Sequence, residues 1–285
     1  MTIGEFILKI SQKQEPDLTK YSESFIQKVF TERRTNHNPK ISNEAYLEYL
    51  NQNPSEFSIF FRHLFPNVSN FYRDRLTWEY LAKILFPQVI QNMLDNPTSS
   101  LRIWSAGCAR GEEPYTTAII IKHYLETLNI KIRSYILGTD LSNYNLTQAR
   151  KGLYHIESIK EVTLKILNRY FSKVQDHYKI NPEILDMVKF SNYDLLEEKS
   201  FAPQDSIFAG FNVIFCRNVL YYFKSEAVNN ILTKFYKSLV PGGILVLGNA
   251  ELLPEDFEHL FHRINPIVPV YKKSTAVYKR SHRNV

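Results

Sequence analysis

Residues 101–116 read LRIWSAGCARGEEPYT. An apolar run of strand length, LRIWSAG (101–107), stops at a turn that holds Gly107 and Gly111, and Glu112-Glu113 then opens EPYTTAIIIKHYLETL, whose apolar spacing is helical. Strand, glycine turn and helix form the first half of a βαβ unit, and the alternation repeats downstream. SYILGTD (134–140), MVKFSNYDL (187–195), FNVIFCRN (211–218) and GGILVLGNA (242–250) read as further strands, with SEAVNNILTKFYKSL as the helix before the last of them. The pattern predicts an α/β fold whose strands are mostly parallel. The late runs PIVPVYKK and TAVYKR predict two more strands, paired as an antiparallel hairpin at the sheet edge. Between Tyr154 and Met187 lies material that a simple βαβ unit does not need, ending in YFSKVQDHYKINPEI, which predicts a small inserted subdomain.

Upstream of this region the periodicity is helical throughout. YSESFIQKVFTERR and SNEAYLEYLNQNP place apolar residues three to four apart, with Ser or Asn ahead as caps, and Pro54 and Pro66 punctuate the stretch. A further helix is expected from about Asp74 to Met93, kinked or broken by Pro87, whose ring and missing N–H disrupt a helix interior. DNPTSS (95–100) reads as a linker.

The chain has 285 residues, 44% hydrophobic and 22% charged, which excludes a disordered or fibrous class and allows one or two packed cores. No apolar run reaches the roughly 18 residues of a membrane span, and an acidic residue comes too early for a signal peptide, so a cytoplasmic protein is expected. The two cysteines, Cys108 and Cys216, are too few for a disulfide framework or metal ribbon and read as buried small apolar residues at the ends of adjacent strands. No metal site is expected. The net charge of +6 equals the six basic side chains of residues 261–285, which contain no acid. The basic balance is a property of one end and argues little for nucleic acid.

In open α/β sheets, ligands sit beyond the carboxyl ends of the strands. After the first strand come the two glycines, which let backbone approach a ligand, and two acids at a helix start. Asp140 ends the second strand about thirty residues later, where an acid holds ribose hydroxyls in nucleoside sites. The turn is acidic and has no Gly-Lys-Ser/Thr, so it suits a nucleoside with positive charge and without phosphates. S-adenosylmethionine is such a molecule.

Six motifs in this order carry a resemblance: NVSNFYRD (67–74), IWSAGCARGEEPYT (103–116), LGTDLS (137–142), ARKGLY (149–154), FCRNVLYYF (215–223) and LVPGGILVLGNAE (239–251). With them the chain resembles the chemotaxis receptor protein-glutamate O-methyltransferase (CheR) family over nearly its whole length. The resemblance implies a Rossmann-like class I methyltransferase sheet with an antiparallel C-terminal hairpin, a small all-helical N-terminal domain (1–66), a connecting helix (67–98), and a catalytic domain (99–285) with a small antiparallel β insert at about 155–187. It also implies the cofactor S-adenosylmethionine, with S-adenosylhomocysteine as product. Asn67, Ser69 and Arg73 match the element that closes over the cofactor, with Ser69 where threonine is usual and Tyr72 where phenylalanine is usual. Gly107 and Glu112 match the methionine-side contacts, Asp140 the ribose-binding acid, and Arg217 and Asn218 the Arg-Asn pair after the fourth strand. Asp194 and Leu195 fall on the Asn-Leu pair near adenine, where aspartate keeps an acceptor but loses the amide donor. Tyr222 matches the tyrosine that projects toward the transferred methyl group, and Arg73, Arg217 and Tyr222 form the implied catalytic set.

The implied partner is the cytoplasmic helical bundle of a chemoreceptor-type protein, met by the N-terminal helices of a monomer recruited to membrane receptors without insertion. Lys28, Arg33 and Arg34 would supply positive charge for it, although residues 1–95 hold 11 basic and 11 acidic side chains. The turn in YFSKVQDHYKI is short and lacks glycine, so docking of a receptor tail peptide is not expected. Two other readings stand beside this one. A non-catalytic cofactor sensor or scaffold would keep the pocket, and a nucleic-acid methyltransferase would use the basic, tyrosine-containing end YKKSTAVYKRSHR.

Overall fold

A computed structural model describes residues 4–5, 7–8, 16–65, 69–94, 100–206 and 210–275. After a 3-10 turn at Leu18–Lys20, the N-terminal part builds its core from α1 (Glu23–His37), α2 (Asn43–Gln52) and α3 (Pro54–His63). Ser42 caps α2 by accepting the Ala45 N–H, and Pro54 takes the first position of α3, where no backbone donor is needed. Their apolar faces close on Ile26, Phe30, Tyr46, Leu50 and Phe60, all buried. Beside this core the Arg33 guanidinium pairs with the buried Glu56 carboxylate, which also accepts from the Tyr46 hydroxyl at 2.8 Å, and Arg34 donates to the Ile41 carbonyl. These arginines hold the helical unit together, so the expected basic face loses two of its three cations to internal contacts.

The next helix forms where expected and is not broken. The path runs from α4 (Arg75–Tyr80) through a π turn at Leu81–Leu85 into α5 (Phe86–Leu94) without breaking at Pro87. The Phe86 N–H reaches back five residues to the Leu81 carbonyl, so the widened turn lies just ahead of Pro87 and absorbs its missing donor. Residues 95–99 of the expected linker lie outside the described residues.

The α/β part then follows: β1 (Leu101–Ala106), α6 (Glu112–Thr127), β2 (Ser134–Asp140), α7 (Asn143–Lys151), β3 (Leu153–His155), α8 (Leu164–Tyr170), β4 (Phe171–Val174), β5 (His177–Ile180), β6 (Val188–Asn192), β7 (Phe211–Cys216), α9 (Ser225–Ser238), β8 (Leu239–Leu247), β9 (Phe261–Arg263) and β10 (Val270–Lys273). The seven-stranded sheet has the order β6-β2-β1-β7-β8-β10-β9, and β3-β5-β4 form a separate antiparallel sheet that is the expected insert. The chain reverses its direction of travel across the sheet between β1 and β7, which is where such folds open a crevice. This is the expected mostly parallel sheet with antiparallel C-terminal strands.

The C-terminal hairpin forms with a different partner from the one expected. β10 pairs antiparallel with both β8 and β9, while residues 276–280, from TAVYKR, lie outside the described residues. The run FHR at Phe261–Arg263 is too short and too polar to announce itself as a strand, and pairing with β10 makes it one.

Period-two alternation gives each strand two buried faces. Ile103, Ile136, Val213, Phe215, Ile244 and Val246 pack toward α6 and the helix at 75–94. Trp104, Leu137, Ile214, Cys216, Leu245 and Leu247 pack toward α9. With both faces covered, what remains accessible is the end of the sheet where the strands finish.

Candidate functional site

One cleft lies at that end. It is lined by Ser69, Arg73, Gly107, Asp140, Asp194, Leu195, Arg217, Asn218 and Tyr222, so nine of the ten expected site residues among the described ones meet in a single place. Glu112 is the tenth. It stands behind the wall, 1% exposed, with its carboxyl hydrogen-bonded to Ser69, which does line the cleft. Asn67 lies outside the described residues.

The first wall is the turn after β1. Gly107 has φ +72°, and a Cβ there would come 2.6 Å from Val219 Cγ2, so only glycine fits. Gly111 begins α6 at φ +91°. Asp140 clamps this turn from the neighbouring strand: Oδ2 accepts the Ala109 N–H at 2.9 Å, and Oδ1 accepts the Ser142 N–H at 2.9 Å and the Asn145 amide at 3.2 Å. Burial pushes the Asp140 carboxyl above the usual carboxylate range, and these hydrogen bonds oppose the shift.

The second wall follows β7. Arg217 is buried and both its terminal nitrogens are engaged, while Nε has no partner among the described residues: Nη1 donates to Glu113 at 3.1 Å, Nη2 to Asp74 at 2.9 Å and to the Arg73 carbonyl at 2.8 Å, and the guanidinium carbon lies 5.3 Å from the centre of the Trp78 ring. It thus joins α6, the segment ahead of α4 and the end of β7. It holds these three together, whereas Arg73 is half-buried and lines the cleft.

Tyr222 closes the cleft from a short 3-10 turn, Leu220–Tyr222. The Tyr221 hydroxyl donates to the Tyr222 hydroxyl at 3.0 Å, which leaves the Tyr222 proton for the cleft. Burial pushes the Tyr222 phenol up, so it remains an O–H donor.

Several contributors carry no readable signal in the sequence. The buried Glu251 carboxylate accepts four backbone N–H groups, those of Asn218 (2.9 Å), Val219 (2.8 Å), Leu220 (2.7 Å) and Gly248 (2.7 Å), and so fixes the turn that bears Asn218 and leads to Tyr222. The buried Lys234 ammonium donates to the Leu195 carbonyl at 2.7 Å and also to that of Glu197, bracing the Asp194-Leu195 loop from α9. Asp194 Oδ1 accepts the Leu196 N–H at 2.8 Å, so this aspartate also shapes its own loop. Tyr21, Leu64 and Phe65 reach the cleft from the N-terminal helical unit. Glu251 ends one of the motifs above, but convergence of four amides on it depends on the fold.

The donor set suits a cationic nucleoside. Asp140, Asp194 and Glu113 line the cleft, Trp78, Tyr193, Leu195 and Phe223 give it apolar faces, and Glu112 Oε2 is buried with no partner among the described residues. Burial pushes Glu112 up to about 7. An unpartnered buried carboxyl oxygen at this position is what a positively charged ligand group would satisfy. Cys108 and Cys216 are buried and their thiols pushed well up by burial and the neighbouring acids, so neither is a nucleophile. Among the described residues no group of three or more His, Cys, Asp or Glu is placed to hold a metal ion, and no helix is long and apolar enough to cross a membrane.

Comparison with known proteins agrees with this geometry. The family model for the CheR methyltransferase S-adenosylmethionine-binding domain matches residues 67–266. A chemotaxis protein methyltransferase of Borreliella burgdorferi is 33% identical over 189 residues, which is 66% of this chain and 65% of that protein, just under two thirds of its length. One from Listeria innocua is 37% identical over 193 residues, 67% of this chain and 68% of that protein. Chemotaxis protein methyltransferase 2 of Vibrio cholerae is 30% identical over 241 residues, 82% of this chain and 78% of that protein.

Proposed function

The chain belongs to the CheR methyltransferase family, and from that membership we propose that it transfers the methyl group of S-adenosylmethionine to glutamate side-chain carboxylates of a chemoreceptor-type signalling protein. The products are glutamyl methyl esters and S-adenosylhomocysteine. The observation that carries the reading is the set of acids at the cleft: Asp140, Asp194 and Glu113 share its wall with Arg73, Glu113 is paired with Arg217, a fourth acid stands behind with an unpartnered oxygen, and there is no phosphate cradle. When bound, S-adenosylmethionine supplies a methyl carbon made electrophilic by its sulfonium.

The rest is alignment by this chain's own residues. Gly107 receives the methionine portion with Glu112 behind it through Ser69, Asp140 the ribose hydroxyls, and Asp194 and Leu195 the adenine, with Arg217 and Asn218 setting the wall and Asn67, Ser69 and Arg73 closing over it. A glutamate carboxylate is already ionised at pH 7, so no general base is needed. Arg73 draws the incoming carboxylate in and the Tyr222 hydroxyl orients it. A salt bridge held throughout would stabilise the ground state as much as the transition state, and Arg217, already shared between Asp74 and Glu113, makes no such clamp on substrate. Opposite charges vanish as the methyl moves, so the apolar faces of Trp78, Tyr193 and Phe223 favour transfer by excluding water.

The receptor bundle is met by the N-terminal helices of a cytoplasmic, monomeric protein that needs no metal. The test is incubation with methyl-labelled S-adenosylmethionine and membranes from the source organism. Label on a membrane protein that mild base releases as volatile methanol supports carboxyl methylation; label absent from protein, with cofactor binding intact, contradicts it.

A further inference from the structure

The turn that carries Tyr222 is anchored from outside by the N-terminal helical unit. The Ser22 N–H donates to the Tyr222 carbonyl at 2.8 Å and the Lys224 N–H to the Lys20 carbonyl at 2.9 Å, so residues 20–22 and 222–224 form a two-bond antiparallel bridge centred on Tyr21 and Phe223. The Tyr21 ring lies 4.8 Å from Phe223 and 5.8 Å from Phe65, and Tyr21 itself lines the cleft. Three residues into α1, the Phe25 ring packs on the Tyr222 ring at 4.6 Å between centres and 54° between planes. On another side Tyr221 lies 4.3 Å from the same ring. Glu251 fixes the turn as far as Leu220, the Tyr222 N–H bonds the Val219 carbonyl at 3.2 Å and the Phe223 N–H the Leu220 carbonyl at 3.0 Å, and beyond them the bridge holds the Tyr222 carbonyl while Phe25 and Tyr221 set the ring.

We propose that Phe25 is a positioning residue for Tyr222, so that the N-terminal helical unit forms part of the reaction site in addition to any docking role. The inference rests on the reading of Tyr222 given above. An aromatic contact of this geometry favours one ring setting beyond what its buried area supplies. Phe25 is half-buried, at the edge of the helical core, so its removal leaves that core intact.

The test uses the full chain with two independent readouts. Ring-labelled tyrosine NMR, with Tyr222→Phe identifying the resonance, measures the order parameter of the Tyr222 ring without turnover; Phe25→Ala lowers it and Phe25→Leu lowers it less. In methyl-transfer assays Phe25→Ala lowers kcat about tenfold with cofactor Kd within about twofold, and adds no further loss in a Tyr222→Ala background. An unchanged order parameter overturns the proposal, as does an equal kcat loss in both backgrounds. If the wild-type chain transfers no methyl group to carboxylates, the functional reading falls while the NMR result still decides whether Phe25 sets Tyr222. If Phe25→Ala does not fold, Phe25→Leu carries the same comparisons with smaller effects.

Discussion

Arg217 Nη1 lies 3.1 Å from Glu113 Oε2, with 3% of the arginine side chain and 12% of the glutamate side chain exposed. Burial pushes the Glu113 carboxyl up while Arg217 pulls it down, so the pair holds a charge that the site would otherwise expel. Removing the cation leaves Glu113 and Asp74 facing each other's charge across the end of β7. Arg217→Ala is expected to cost about 3–5 kcal/mol, because it strands buried charge. Urea denaturation checks this. An unchanged midpoint would mean that the guanidinium does not hold the site together.

Asp140 joins two strands and presents its carboxylate to the cleft. Asp140→Ala is expected to raise the cofactor dissociation constant roughly ten- to a hundredfold, through loss of charge-assisted hydrogen bonds. Because the carboxylate also holds the Ala109 and Ser142 N–H groups, part of the loss comes from relaxation of the turn. Calorimetric titration measures it, and unchanged affinity removes Asp140 from the site.

Tyr222→Phe keeps the ring between Phe25 and Tyr221 and deletes only the hydroxyl. Turnover is expected to fall by more than cofactor affinity does. The outcome that overturns this role is a collapse of binding with turnover per bound cofactor preserved.

Glu112 gives the site a pH signature. Its folded value of about 7 lies above the ordinary 4.5, so the folded state keeps a proton that the unfolded state has lost. Its stabilising contribution is therefore full below pH 4.5 and falls as pH rises to about 7, by about 3 kcal/mol in all. Glu112→Gln should flatten that part of the stability profile. A positive ligand group beside the carboxyl favours its ionised form, so cofactor binding should tighten with rising pH through 7 in the wild type and lose this dependence in Glu112→Gln. Identical pH profiles for the two proteins would place Glu112 away from the ligand.

The strands and their flanking turns were legible because each βαβ unit is local: Gly107, Asp140, Asp194 and Arg217 sit directly after apolar runs that could be read one at a time. What joins them was not legible. The Arg217–Glu113 pair spans 104 residues and the Ser22–Tyr222 bridge about 200, and neither leaves a periodic trace. The π turn ahead of Pro87 was not legible either, since it solves the missing N–H within an unbroken helix and no residue type announces one. The arginines of α1 looked available for a partner because Glu56, the buried acceptor of Arg33, sits on α3, where it reads as an ordinary surface acid, and the acceptor of Arg34 is a backbone carbonyl, that of Ile41.

The central claim, carboxyl methylation at this cleft, is tested most directly by locating the methyl group. Receptor-bearing membranes are incubated with the protein and methyl-labelled S-adenosylmethionine, and the labelled peptides are sequenced by mass spectrometry beside an Asp140→Ala control. The expected result is a base-labile methyl on glutamate side chains of a helical cytoplasmic segment, strongly reduced in the control. Label that resists base, label on nucleic acid, or no label from a preparation that binds the cofactor would contradict it.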